Sequence, residues 1–166
     1  MRRFFALENN QMTDSCTARS ATRDDLSAIG DIAEATDLFP AVYLPEMIKP
    51  FLIRESDDLW LVALSEGAVI GFVFCEPERM TEGTFNMLAL AIAPGFQRKG
   101  LGGTLVNALE RALIERGARL MLVETSGLPD YEGTRAFYCS IGYEEEATIR
   151  EFYAAGEDKI VFRKTL

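Results

Sequence analysis

Two rhythms of apolar and polar positions run along this chain, and each change of rhythm marks an element. Residues 16–20 (CTARS) read as a short strand. A helix follows, with Thr22 as its cap, Asp24 and Asp25 in its first turn and an end near Ala35. Side-chain oxygens and acidic groups at such a start satisfy and complement its free N–H groups. Residues 36–44 contain Phe39-Pro40 and read as a loop, and Pro45 suits the first position of a second helix. Two apolar runs, Leu59 to Leu64 and Val69 to Cys75, flank Ser65-Glu66-Gly67-Ala68 and predict a hairpin. Another strand spans 84–93. From 100 to 116, Leu101, Leu105, Leu109 and Leu113 recur every four residues; Val106 and Ala112 widen that face, and Gly117 stops the helix. A strand at 118–124, a helix near 131–141 and strands at 143–150 and 158–165 complete the chain. With no internal repeat or low-complexity tract, this is a mixed α/β pattern in which strands dominate the middle and end.

The densest chemistry lies between Leu88 and Glu110 (LALAIAPGFQRKGLGGTLVNALE). An apolar run ends at Pro94, six residues rich in glycine and cation follow (Gln97, Arg98, Lys99, Gly100, Leu101, Gly102), and a helical pattern begins at once. This is a buried strand, a tight turn and a helix N-terminus. N–H groups there lack intrahelical partners, and the helix dipole adds partial positive charge. Gly100 and Gly102 remove side chains that would hold a pyrophosphate away, and Arg98 and Lys99 add full charges, so the segment suits a phosphate. Spacing excludes two common sites. A P-loop needs Lys-Ser/Thr after its last glycine, and the dinucleotide fingerprint needs a glycine where Leu105 stands.

What remains, Gln-x-x-Gly-x-Gly, resembles the acetyl-CoA pyrophosphate loop of the GNAT acetyltransferase superfamily, and Ile92-Ala93-Pro94 resembles the strand end before it. A second segment, TRAFYCSIGY from Thr134, resembles the last helix of the same family with its Tyr-x-x-x-Gly-aromatic ending, here Tyr138, Gly142 and Tyr143. The resemblance covers roughly residues 17–166. It implies an α/β fold of the α+β type, with a mixed, mostly antiparallel central sheet of six or seven strands flanked by about four helices. One position departs from the pattern: where many relatives carry a cofactor-binding asparagine seven residues before the tyrosine, this chain has Tyr131.

Composition narrows the classes further. A chain of 166 residues is most simply one domain, expected over 16–166, with 1–15 as a disordered or extended leader. The start MRRFFAL imitates a signal peptide, but its apolar part ends after four residues at Glu8-Asn9-Asn10, and Met12 offers a second possible start. No apolar run approaches the ~20 residues that cross a bilayer. Cys16, Cys75 and Cys139 lack metal or redox spacing and read as buried thiols of a reducing cytoplasm. There is no histidine, which excludes Ser-His-Asp, Cys-His and HExxH chemistry. A formal net charge of −9 favours a cationic or amine-bearing acceptor over nucleic acid.

The resemblance implies acetyl-CoA as acetyl donor, bound by Gln97, Arg98, Lys99, Gly100, Leu101 and Gly102, with main-chain N–H groups near Leu90 and Ile92 facing the thioester carbonyl. It implies Tyr138 as general acid, since a phenol of pKa near 10 stays protonated at neutral pH and can donate to a thiolate. For the base, Glu124 at its strand end is the first candidate, ahead of Glu76 and Glu82. Segments 39–43 and 151–156 fall where the family shapes its acceptor pocket, and their aromatics suit a small, partly apolar amine. The expected activity is direct N-acetyl transfer to a primary amine of a small molecule or peptide, with no metal, nucleic-acid or membrane partner and a possible homodimer. A non-catalytic acyl-CoA-binding module and a transferase of a longer acyl group are the alternatives.

Overall fold

A computed structural model describes residues 16–166; the expected leader, 1–15, lies outside the described residues. The order of elements is β1 (Cys16–Ser20), α1 (Leu26–Ala35), α2 (Leu44–Leu52), β2 (Leu59–Ser65), β3 (Ala68–Pro77), β4 (Thr84–Ile92), α3 (Leu101–Glu115), β5 (Leu120–Ser126), α4 (Glu132–Ser140), β6 (Glu144–Ala154) and β7 (Glu157–Thr165). The seven strands lie in the order β1-β2-β3-β4-β5-β7-β6. β4 and β5 are parallel, whereas β1–β2, β5–β7 and β6–β7 are antiparallel. This is the mixed, mostly antiparallel sheet with four helices that the sequence predicts, at the upper strand count. The chain gathers into two compact units: one runs up to Phe74 and resumes over Ala89–Leu109, the other joins Cys75–Leu88 to Glu110–Leu166.

In the first unit, Trp60 stacks on Phe74 at 4.2 Å and on Phe72 at 6.0 Å. Ile29, Ile32 and Ala33 of α1, Leu44 and Ile48 of α2, and Ala89 and Ala91 of β4 complete that core. The start of α1 differs in detail from a simple Thr22 cap. Residues Arg23–Asp25 form a 3-10 turn first, because the buried Asp25 carboxylate reaches back to accept the Thr22 N–H (2.8 Å) and hydroxyl (3.0 Å). Arg19 grips the same carboxylate with two hydrogen bonds of 2.7 and 2.9 Å and holds it below its ordinary pKa. Phe39, in the segment expected to shape the acceptor pocket, is half-buried and packs against this core, edge-on to Phe72 at 6.1 Å. An aromatic beside a loop proline finds more apolar area in the core than at the surface. Gly71 is required by packing. A Cβ there would lie 2.8 Å from the Ala91 carbonyl oxygen, so only glycine lets β3 approach the end of β4.

In the second unit, Met121 and Val123 of β5, Phe162 of β7, Tyr138 and Tyr143 form the core. The Tyr143 hydroxyl donates to Glu110 Oε1 at 2.9 Å. Lys164 Nζ donates to both Glu110 oxygens (3.0 and 2.8 Å) and to the Ile141 carbonyl (3.0 Å). A buried carboxylate is thus fully partnered, and the turn after α4 is pinned to α3 and β7. Two expectations are corrected here. Cys139 is exposed, while Cys16 and Cys75 are buried; Tyr138 turns inward, and one step round the helix carries Cys139 outward. The segment 151–156, expected as a loop, is mostly strand, since β6 continues to Ala154. Glu151 adopts a φ of 52° at an irregularity between Ile149 and Ala154, its N–H held by Asp158 Oδ1 at 2.8 Å. This bulge lets the β-favouring Phe152-Tyr153 extend the strand.

Candidate active site

The donor half grows from the end of β4. Ala93 N–H donates to the Ile70 carbonyl at 2.8 Å, and a 3-10 turn over Pro94–Phe96 reverses the chain. Gln97 Nε2 then reaches back to the Ile92 carbonyl at 3.0 Å and ties the loop to its strand. Arg98 (φ 59°) and Gly100 (φ 77°) both take left-handed backbone conformations, which compress the turn. The space where a Cβ of Gly100 would stand is open, with no atom within 4 Å. Lys99 folds along the turn, its ammonium 3.3 Å from the Gly95 carbonyl and 5.3 Å above the Phe96 ring centroid.

At the helix start, the Gly100 carbonyl accepts from both the N–H (3.2 Å) and the hydroxyl (2.9 Å) of Thr104. The N–H groups of Leu101, Gly102 and Gly103 therefore precede the first intrahelical bond and are available to an anion. Leu101 turns its side chain into the core, so its part in such a site is confined to its main chain. The loop thus offers an anion free N–H groups, two cations in Arg98 and Lys99, and open space at Gly100. Leu90 is half-buried and Ile92 buried on β4. The registered β4–β5 pairs run from Thr84–Leu120 to Met87–Val123, which leaves the main chain of Leu90 and Ile92 outside that ladder.

The remaining candidates lie in the second unit and are side chains. Tyr138 on α4 is packed among Phe137 (5.4 Å), Tyr143 (5.9 Å) and Phe162 (5.9 Å between ring centroids). Burial pushes its phenol up to about 12. Among the described residues none hydrogen-bonds its hydroxyl. A phenol in this setting keeps its proton through the neutral range and has it free to give.

Glu124 stands two residues inside the end of β5, half-buried. Its Oε2 accepts a hydrogen bond of 2.9 Å from Lys159 Nζ of β7. The same ammonium lies 3.5 Å from the centroid of the Phe152 ring on β6. Tyr153, next along β6, has its phenol raised by burial and then by the negative charges of Glu124 and Glu157. Glu76 and Glu82, the other candidate bases, are both exposed. Two features escaped the sequence reading. Lys159 is buried and bridges Glu124 to Phe152, and Asn86 donates to Glu78 Oε1 at 2.9 Å. No local motif marks either, since each depends on strand register; the lone lysine in the apolar run after Asp158 was the available hint.

Residues 28–143 match the sequence profile of the acetyltransferase (GNAT) family. The chain belongs to that family, whose enzymes use acetyl-CoA as acetyl donor. It is similar to an acetyltransferase of Pectobacterium atrosepticum, at 30% identity over 95 residues that cover 57% of this chain and 65% of the relative. The matched region thus spans slightly under two thirds of that relative. Among solved structures, one from Desulfovibrio desulfuricans described as an acetyltransferase of the GNAT family superposes with a TM-score of 0.85 at 29% identity. It covers 91% of this chain and 99% of its own. A Salmonella typhimurium structure, described as an acetyltransferase with its cofactor acetyl-CoA, shares the fold at a TM-score of 0.75 and 19% identity, over 92% of this chain and 95% of its own. No described helix is long and apolar enough to cross a membrane.

Proposed function

We propose that this protein is an N-acetyltransferase that moves the acetyl group of acetyl-CoA directly to a primary amine of a small molecule or peptide, with both bound together. The observation that carries this reading is Tyr138, buried, proton-bearing and without a hydrogen-bond partner among the described residues. A module that only binds acyl-CoA has no use for such a group.

When bound, acetyl-CoA supplies an activated thioester. Gln97 shapes the pyrophosphate loop from within, and the N–H groups of Leu101, Gly102 and Gly103 hold the phosphates with Arg98 and Lys99 beside them and Gly100 permitting close approach. Main-chain groups at Leu90 and Ile92 orient the thioester carbonyl and stabilise the charge that develops on its oxygen. Glu124 takes the proton that the acceptor ammonium must lose, and Tyr138 holds at its Oη the proton that the departing sulfur needs. Phe152 and Tyr153 border the acceptor. The excess of acidic residues supports a cationic acceptor rather than a nucleic acid. We further propose a cytoplasmic protein with one domain over 16–166 that works as a homodimer.

Substituting Tyr138→Phe tests the central claim. Turnover of an amine panel with acetyl-CoA should fall by about a hundredfold or more, the typical scale for a positioned acid. The Kd for acetyl-CoA, measured by calorimetry, should stay within twofold. Unchanged turnover, or lost donor binding, would remove Tyr138 from this role.

A further inference from the structure

We propose that Lys159 is a positioning residue of the acceptor half: its ammonium fixes the Glu124 carboxylate and the Phe152 ring in one arrangement and leaves a single carboxylate oxygen for the acceptor. The inference rests on the reading of Glu124 as base. Lys159 is 7% exposed, far below what is usual for a lysine. Burying an ammonium is costly unless it is paired, and an apolar side chain of the same length would fill the space more cheaply. Here the cation has two partners on different strands, Glu124 Oε2 at 2.9 Å and the face of Phe152 at 3.5 Å. A cation between a carboxylate and a π face draws both toward itself.

The arrangement divides the two carboxylate oxygens. Oε2 is held by Lys159, whereas Oε1 accepts no hydrogen bond from a described residue, and the Glu124 side chain keeps 31% of its surface open. An acceptor ammonium bordered by Phe152 meets Oε1. Its N–H bond breaks, an O–H bond forms at Oε1, and the neutral amine keeps the electron pair that attacks the thioester. Lys159 takes no proton in this step. It holds Oε2 and so keeps Oε1 aimed. Glu124, Glu157 at the start of β7 and Tyr131 before α4 all act on the phenol of Tyr153 on β6. Arg135 of α4 is committed to the carbonyls of Ser126 (2.7 Å) and Leu128 (2.9 Å), so Lys159 supplies the charge that meets the carboxylate.

The test compares kcat and KM for both substrates in Lys159→Met, Lys159→Arg and Glu124→Gln. In Lys159→Met kcat should fall about tenfold or more as Oε1 loses its aim, while KM for acetyl-CoA stays within twofold. Lys159→Arg keeps the charge and should recover most of the lost kcat; Lys159→Gln replaces the methionine variant if that does not fold. A wild-type kcat in the neutral variant, beside an inactive Glu124→Gln, would overturn the role of Lys159 and leave the base in place. A wild-type kcat for Glu124→Gln would instead remove the base, and the inference with it.

Discussion

The loop at 97–102 and the cluster of Glu124, Phe152 and Lys159 solve opposite problems with opposite materials. The loop offers backbone: N–H groups ahead of the first intrahelical bond, a left-handed glycine and a side-chain amide that ties the turn to its own strand. The cluster offers side chains from three strands, a carboxylate, an aromatic ring and a buried cation, held by one another. Main-chain recognition suits a ligand part that never changes, such as a pyrophosphate. Side-chain recognition suits the part that differs between enzymes. The contrast explains why one chain can declare its acetyl donor in six residues and keep its acceptor private.

If the donor half is truly written in backbone, conformational damage there should outweigh loss of charge. Gly100→Val forces a β-branched residue to a φ of 77°. Strain of this type costs on the order of 1–3 kcal/mol, so we expect acetyl-CoA affinity to weaken about tenfold or more by calorimetry, with KM for the acceptor unchanged. An unaltered Kd would show that the ligand does not read the turn. Next in size, Phe152→Ala removes an aromatic wall and the π face over Lys159. KM for the acceptor should rise about tenfold, a scale set by losing a pocket contact, and KM for acetyl-CoA should hold. Equal rises in both would dissolve the division between the halves. Smallest is Lys99→Ala. An exposed cation is worth well under 1 kcal/mol and is screened by salt. Its removal should weaken acetyl-CoA binding about twofold at low salt and less at high salt; a loss exceeding that of Gly100→Val would reverse our ranking of backbone over charge.

What could be read in advance follows the same line. The four-residue leucine period of α3, the glycine that ends it and the strand before the loop are local patterns, and the structure places all three within a residue or two of expectation. The loop was legible because glycine and cation spacing reports backbone demands directly. Misplaced features were those decided by partners distant in sequence. Cys139 went outward because Tyr138 takes the inward place beside Tyr143 and Phe162. The extension of β6 through Phe152 depends on an irregularity at Glu151 that Asp158 stabilises from the next strand. Lys159 was invisible as part of a site because its meaning lies in the pairing of β7 with β5, where it stands opposite Ser126 two residues beyond Glu124.

The Gly100 carbonyl that closes the first turn of α3 carries a consequence for how this protein can change. Because the three amides it leaves open belong to Leu101, Gly102 and Gly103, truncating the Leu101 side chain would disturb packing without removing a single donor. On the proposed donor site, a mutational scan would therefore pass over the ligand's anchor and register only the residues that bend the chain around it. Drift in side chains can retune the acceptor end indefinitely while the donor end stays the same, and replacing an amide by an ester, rather than one amino acid by another, is the change that would reach it.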